Sequence, residues 1–290
     1  MRKHVPLLMV SMAAIWFVIC AIRAGAQSHG SAPLQTNGSV NVADEMPFAR
    51  MMQSDMELLM EFQAELMCSV VKDLPFSAQL SLETEQLLGD GTRIARKTGG
   101  SIYRDSSGRL REELTMPVPS PASVPTDIGI MVILYDPSLG AHWILMPAAK
   151  AAMKMTMPTA PKGKGNADSN AEENLRTFGG FENGGTAEKL GAQNVEGVTA
   201  TGTRYTHTVP AGQLGNDQPL QLITERWYSS EMRMTVSLKR SDPMTGSKIL
   251  KLMEIRQQQP DAALFSVPAD YQVKEMTIPA DTQLKKPSQP

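Results

Sequence analysis

The sequence predicts an α+β fold that is mainly antiparallel β-sheet, with one convincing helix laid over it. Three observations carry this. From Phe76 onward apolar residues recur at every second position, as in Leu80 and Leu82 or in Met232, Met234, Val236 and Leu238. That spacing gives a strand one buried face and one wet face. Between the strand-like runs stand four turn signals: Leu88-Gly-Asp-Gly91, Asp105-Ser-Ser-Gly108, Asp136-Pro-Ser-Leu-Gly140 and Asp242-Pro-Met-Thr-Gly246. Asp opens three of them, and Gly supplies the left-handed position that returns the chain. Finally, helices and strands do not alternate, which excludes a doubly wound nucleotide-binding domain.

The elements follow in order. Residues 1–26 read as a signal peptide: Arg2, Lys3 and His4 precede an apolar run from Val5 to Ile22, and Ala24-Gly25-Ala26 offers the small residues for cleavage near Ala26. A retained membrane anchor is the alternative, since the run just reaches spanning length. Ile19 stands where a lipoprotein signal needs Gly, Ala or Ser before Cys20. Residues 27–44 are a flexible leader rich in Ser, Gly and Asn. Residues 45–278 form a single domain. Its helix is expected over Met46–Val71, where Met52, Met56, Leu59, Met60, Gln63, Leu66 and Met67 make an apolar stripe, and Pro75 forbids continuation. Strands are then expected around Leu80, over Ala151–Met157, over the threonine-rich Thr199–Val209 and around Met234. Pro117 to Asp127 should run extended, because Pro117, Pro119, Pro121 and Pro125 crowd it. Residues 158–185 are a flexible insertion, either a lid or disorder, and 279–290 a disordered tail.

Composition sets limits. The chain has 290 residues and a formal charge of −2. With Arg2, Lys3 and Arg23 removed with the signal, 28 basic residues become 25 against 30 acidic, which gives no footprint for nucleic acid. Cys20 would leave as well, so Cys68 becomes the one thiol, read as a buried small apolar residue. No second apolar run approaches spanning length, so no membrane span is expected after cleavage, and the compartment is the periplasm or the exterior.

Catalytic chemistry is not evident. There is no His-Glu-x-x-His, Gly-x-Ser-x-Gly, Cys-x-x-Cys or phosphate-binding glycine loop. His29, His142 and His207 lack ligand spacing, and His142 and His207 read as partly exposed strand positions. Asp105, Glu112 and Glu113 flank Arg109 and Arg111, as on an exposed strand with cross-strand ion pairs. The reading is therefore a protein that is not an enzyme, with no metal and no cofactor. The 20 methionines point elsewhere. Most fill a core, but flexible, polarizable side chains also suit a deformable apolar groove between helix and sheet.

Three segments resemble a known family. Gly100-Ser-Ile-Tyr-Arg-Asp-Ser-Ser-Gly-Arg-Leu-Arg-Glu-Glu-Leu114 is similar to the early hairpin of LolA, the outer-membrane lipoprotein carrier, and its relatives. Ile133-Leu-Tyr-Asp-Pro-Ser-Leu-Gly-Ala-His-Trp-Ile-Leu-Met-Pro147 resembles the family's Trp-containing strand with its closing proline, and Ala262-Ala-Leu-Phe-Ser-Val-Pro-Ala-Asp-Tyr271 its late Phe-x-x-Pro phrase. The resemblance implies a strongly curved half-barrel sheet covered on its concave side by one or two helices, an apolar cavity and periplasmic residence. By position Arg111 matches the family arginine that holds the helical lid shut, while Glu112 stands where the family has an aromatic.

The expected function is to bind or carry an apolar ligand: an acyl chain, lipid or lipoprotein. The alternative is a protein-interaction or sensor module that grips an envelope protein with the same curved sheet and carries no lipid. Candidate ligand-binding residues at the cavity or its lid are Arg111, Trp143, Met153, Met155 and Trp227.

Overall fold

A computed structural model describes residues 55–67, 70–116, 129–156 and 185–277. The signal segment, the leader, Cys68, the proline-rich run, the tail and all but the last residue of the 158–185 insertion lie outside them. The chain divides into two compact units, Met1–Met60 and Glu61–Pro290. In the first, residues 55–60 are helical and Leu58 and Leu59 are buried. The second opens with helical residues 61–67, which complete α1 (55–67). The helix stops short of Val70 and Val71, and Asp73 then takes a positive φ of 59° ahead of Pro75. A proline disfavours helical geometry in the residue before it, so the exit is tight.

Among the described residues twelve strands follow in the second unit. β1 (Phe76–Leu87), β2 (Arg93–Arg104), β3 (Leu110–Met116), β4 (Gly129–Asp136), β5 (Ala141–Met146) and β6 (Ala151–Thr156) form one meander. β7 (Thr186–Val195), β8 (Val198–Val209), β9 (Leu220–Ser229), β10 (Met234–Asp242) and β11 (Gly246–Arg256) form a second, and β12 (Gln272–Thr277) ends the described chain. All belong to one open sheet in the order β12-β6-β5-β4-β3-β2-β1-β11-β10-β9-β8-β7. Antiparallel pairing of β1 with β11 joins the meanders. The four turn signals all fall at hairpin turns or between paired strands, and Gly91, Gly108, Gly140 and Gly246 take positive φ there.

One pair departs from the antiparallel pattern. β12 runs parallel to β6. Parallel neighbours need a crossover, and the chain supplies one by laying residues 257–271 over a face of the sheet. A short 3₁₀ turn, Ala262–Phe265, lies on this strap, with the Asp261 side chain accepting from the Ala263 amide. Val267 and Tyr271 pack on a cluster of Val132, Leu134, Leu145 and Ala152, beside Trp143. The chain then enters β12 from the end where β6 begins, and the Gln272 amide donates to the Lys150 carbonyl.

Cross-strand register sorts side chains to two faces. Ile102, Glu112, Ile133, Ile144 and Met153 are successive partners from β2 to β6 and share one face. On the same face Leu82, Leu250, Leu238 and Arg226 carry the row from β1 to β9. Residues 61–67 bond to this face, here called the helix face. The opposite face of the centre is a charged ladder, in which Glu83 meets Lys97 at 3.1 Å and Lys251 at 3.4 Å, and Arg93 meets Glu85 at 2.6 Å. Such exposed pairs contribute little energy but oppose a slipped register, which would turn them into the core.

β6 and β7 stand at nearly opposite ends of the strand order, ten steps apart. At about 4.8 Å per step the link between them must cover on the order of 48 Å along the sheet.

Gly100 lies where β1, β2 and β3 crowd together, and a Cβ there would fall 1.6 Å from the Glu113 carbonyl oxygen. G100A is expected to destabilise the fold by more than ~2 kcal/mol, through strain in the sheet backbone. G89A, with nothing within 4 Å of its Cβ position, is expected to stay within about 0.5 kcal/mol. Urea midpoints of the two variants check this.

Candidate ligand site

Residues 61–67 meet the sheet through polar side chains. Glu61 and Glu65 stand one helical turn apart, and both reach arginines of the helix face. Glu65 accepts from Arg226 at 2.8 Å, from the Thr235 amide at 2.9 Å and from the Thr235 hydroxyl at 2.6 Å. Arg226 donates in turn to the Thr235 hydroxyl at 2.7 Å and stacks on the Tyr228 ring at 4.6 Å. Thr235 lies at a bulge in the β9–β10 ladder, and the irregularity frees its amide to face the helix. Glu61 accepts from Arg240 at 2.5 Å, and burial pushes its carboxyl above the usual range against the pull of that guanidinium.

On the β3 side the contact is different. Gln63 donates through Nε2 to Glu112 Oε2 at 2.6 Å. Glu112 is buried, and its Oε1 has no hydrogen-bond partner among the described residues. Burial holds this carboxyl up at about 7, with the Gln63 hydrogen bond pulling weakly the other way. The flanking helix-face positions, Ile102 and Ile133, are apolar. Farther along the face, Arg104 is buried over the Phe76 ring and donates to the carbonyls of Leu74 and Met232. Desolvation lowers its guanidinium to about 10.

These contacts correct two expectations. The buried side of 61–67 matches the expected stripe only at Gln63: Glu61, Phe62 and Ala64 are buried beside it, while Leu66 and Met67 are only half-buried. Arginines on β9 and β10 provide the partners that make buried carboxylates tolerable. Glu112 and Asp105 are likewise not exposed strand positions. Asp105 accepts from the Ser107 and Arg109 amides and pairs with the Arg109 guanidinium at 2.6 Å, which closes the β2–β3 turn.

The five candidate residues separate. Met153 and Met155 lie on the helix face and are buried, opposite Ile144 and His142 of β5. Continuing over Ile133 and Met131 of β4, they make an apolar, methionine-rich strip. His142 stacks on Tyr135 at 4.6 Å, and burial lowers its imidazole to about 4, so it is neutral there. Arg111 and Trp143 occupy the opposite face. Arg111 bonds to Glu113 at 2.7 Å and to the Leu264 carbonyl at 2.8 Å, so it holds the strap and not α1. Trp227 lies on that opposite face too, over Gly202, where a Cβ would come within 2.7 Å of the indole.

Sequence reasoning missed Glu61, Glu65, Arg226, Arg240 and the burial of Glu112. The partners are 161 to 179 residues apart on the arginine side and 49 on the Glu112 side, so no local pattern joins them. Among the described residues no group of three or more His, Cys, Asp or Glu could hold a metal ion, and no helix is long and apolar enough to cross a membrane.

No protein-family model and no curated protein matches the sequence. Among solved structures the chain is similar to an uncharacterized conserved protein from Thermus thermophilus, at 12% identity over 77% of this chain and 99% of that one, with a TM-score of 0.38. It is similar to a chain of the Pseudomonas aeruginosa MucA/MucB complex at 12% identity and a TM-score of 0.37, over 77% of this chain but 63% of that one. A LolA superfamily protein from Nitrosomonas europaea is similar at 11% identity over 74% of this chain and 97% of that one, with a TM-score of 0.27.

Two outcomes are expected. E65A leaves Arg226 buried without its carboxylate and should cost about 3–5 kcal/mol in urea unfolding, with the paired change E65L/R226M recovering part of it. Glu112 makes stability fall as pH rises. Between its unfolded value of 4.5 and its folded value of about 7 the unfolded chain gives up the proton first, so unfolding gains about 3 kcal/mol across that window. E112Q should therefore exceed the wild type in stability at pH 8 and converge with it at pH 4. His142, lowered by burial, gives both proteins a common loss of stability below its ordinary value of 6.5. Urea titrations across this range decide the matter, and a less stable E112Q at pH 8 contradicts the assignment.

Proposed function

We propose that this chain is a non-catalytic, exported envelope protein that binds or carries an apolar ligand, an acyl chain or the lipid part of a lipoprotein, on the helix face of its sheet. The observation that carries the reading is the division of that face. The polar contacts of residues 61–67 engage β3, β9 and β10, whereas β4 to β6 contribute the apolar side chains of Met131, Ile133, Ile144, Met153 and Met155, all of them buried. Methionines adapt to apolar partners of variable shape without a fixed jigsaw. The motifs resembling lipoprotein carriers support the same reading, as does the signal-like N-terminus. Arg111 and Trp143 lie on the face opposite this strip, beside the strap, and Trp227 lies on the same opposite face of β9.

The second reading is a protein-interaction module without lipid cargo. The opposite face favours it, because there Arg111 already holds the Leu264 carbonyl in the 3₁₀ turn of the strap.

Native and denaturing mass spectrometry of the envelope-purified protein separates the two. The ligand reading expects a bound mass that is lost on denaturation and extracts as lipid. It also expects that M153E and M155E each weaken displacement of an environment-sensitive apolar dye at least tenfold. A clean apo mass with no dye displacement rejects lipid cargo and favours the protein-binding reading.

A further inference from the structure

One end of the sheet gathers exposed apolar side chains on its turns. Antiparallel order places the β1–β2, β10–β11 and β8–β9 turns side by side at this end. Leu87 is 71% and Leu88 38% exposed at the first, Met244 51% at the second and Leu214 61% at the third. The pairing of Glu85 with Ser247, continued outward, sets Met244 level with Leu88. The pairing of Ser241 with Ile223, continued the same way, sets Met244 level with Leu220, where the turn that carries Leu214 ends.

The amides of these tips are already satisfied. The Leu88 amide donates to the Thr92 carbonyl at 2.8 Å, the Met244 amide to Asp242 Oδ1 at 2.7 Å and the Leu214 amide to Asn216 Oδ1 at 3.0 Å. Asn216 also ties the third turn to the Pro210 and Gln218 carbonyls. A single exposed leucine on a folded protein needs no explanation. Three neighbouring turns, each with an apolar tip whose own amide is used internally, have what entry into a water-poor layer demands.

We propose that this end of the sheet docks onto the surface of a neutral lipid bilayer, with Leu88, Leu214 and Met244 inserted at the boundary of headgroups and acyl chains. The tips together expose on the order of a few hundred Å² of apolar surface, in three separate places. A stable protein complex buries about 800 Å² per partner as a continuous, complementary patch. A fluid bilayer accepts separate wedges and needs no complementarity. Charge fixes the lipid class. The charged residues of the three turns are Asp90, Asp217 and Asp242, which an anionic surface would repel. Asp90 and Asp242 spend their oxygens on turn donors, and Arg93 beside the first turn is paired with Glu85. This inference uses none of the residues of the ligand strip and stands or falls apart from it.

The test is flotation of the chain from Gln27 onward, without the apolar Val5–Ile22 run that would enter vesicles by itself, with phosphatidylcholine vesicles at physiological salt. The wild type is expected to float. L88S, L214S and M244S should each lower partitioning about five- to tenfold, and the triple variant should remain at the bottom of the gradient. V70S and L139S, at the other end of the sheet, should float like the wild type. To guard against a misfolded triple variant, L214W should show a blue-shifted emission with vesicles and quenching by brominated lipid. Three results overturn the proposal: a wild type that does not float, binding confined to anionic vesicles and lost with salt, or an unshifted emission from L214W. Apolar-dye displacement measured without vesicles reports the ligand strip alone, so the two readings fail separately.

Discussion

The pairing of β1 with β11 is the constraint on which the rest of this structure depends. Without it the chain would hold two separate meanders, each with an open edge and a half-covered apolar face. With it, β1 becomes a central strand, and the helix face runs unbroken from Met153 on β6 to Arg226 on β9. Only on such a continuous face can one short helical segment bond at once to β3 on one side and to β9 and β10 on the other.

That helical contact trades stability for position. Two carboxylates and a glutamine are removed from water where leucines would be cheaper to bury, and buried ion pairs seldom exceed the stability of a well-packed apolar substitute. What they supply is a single register. Glu65 accepts three hydrogen bonds that converge from two strands, so a shift of residues 61–67 by one turn would strand Arg226 and Arg240 without their carboxylates. Apolar side chains would tolerate such a shift. On the β3 side the contact is weaker, one hydrogen bond between Gln63 and a carboxyl that burial raises to about 7.

The legible part of the fold was the part written in neighbouring residues. Alternation in β1, β6, β8 and β10 and the Asp-to-Gly turns are local, and each falls on a strand or a hairpin turn. Strand partners from distant sequence were not legible, and neither was anything that depends on them. Glu112 looks like a surface residue beside Arg111 and Glu113, because nothing nearby shows that Gln63 will close over it. The candidate residues were chosen by type, large or flexible and apolar. The alternation that places Met153 and Met155 on one face also puts Trp143 of the next strand on the other, opposite Lys154. Type alone does not carry the sign of that alternation. The β10 bulge at Thr235 has no sequence signal at all, yet it aims a key donor at Glu65.

The β1–β11 pairing also sets a clock. A chain made from its N-terminus completes β1 to β6 long before β11 exists, and well over a hundred residues must be added before Leu82 meets Leu250. At about 5–20 residues per second that is roughly ten to thirty seconds during which β1 offers an unpaired edge to any passing strand. Glu83 and Glu85 stand on that waiting edge. In the finished sheet they are minor surface ion pairs; in the nascent chain their charges are the gatekeepers that keep the half-made sheet from recruiting a copy of itself.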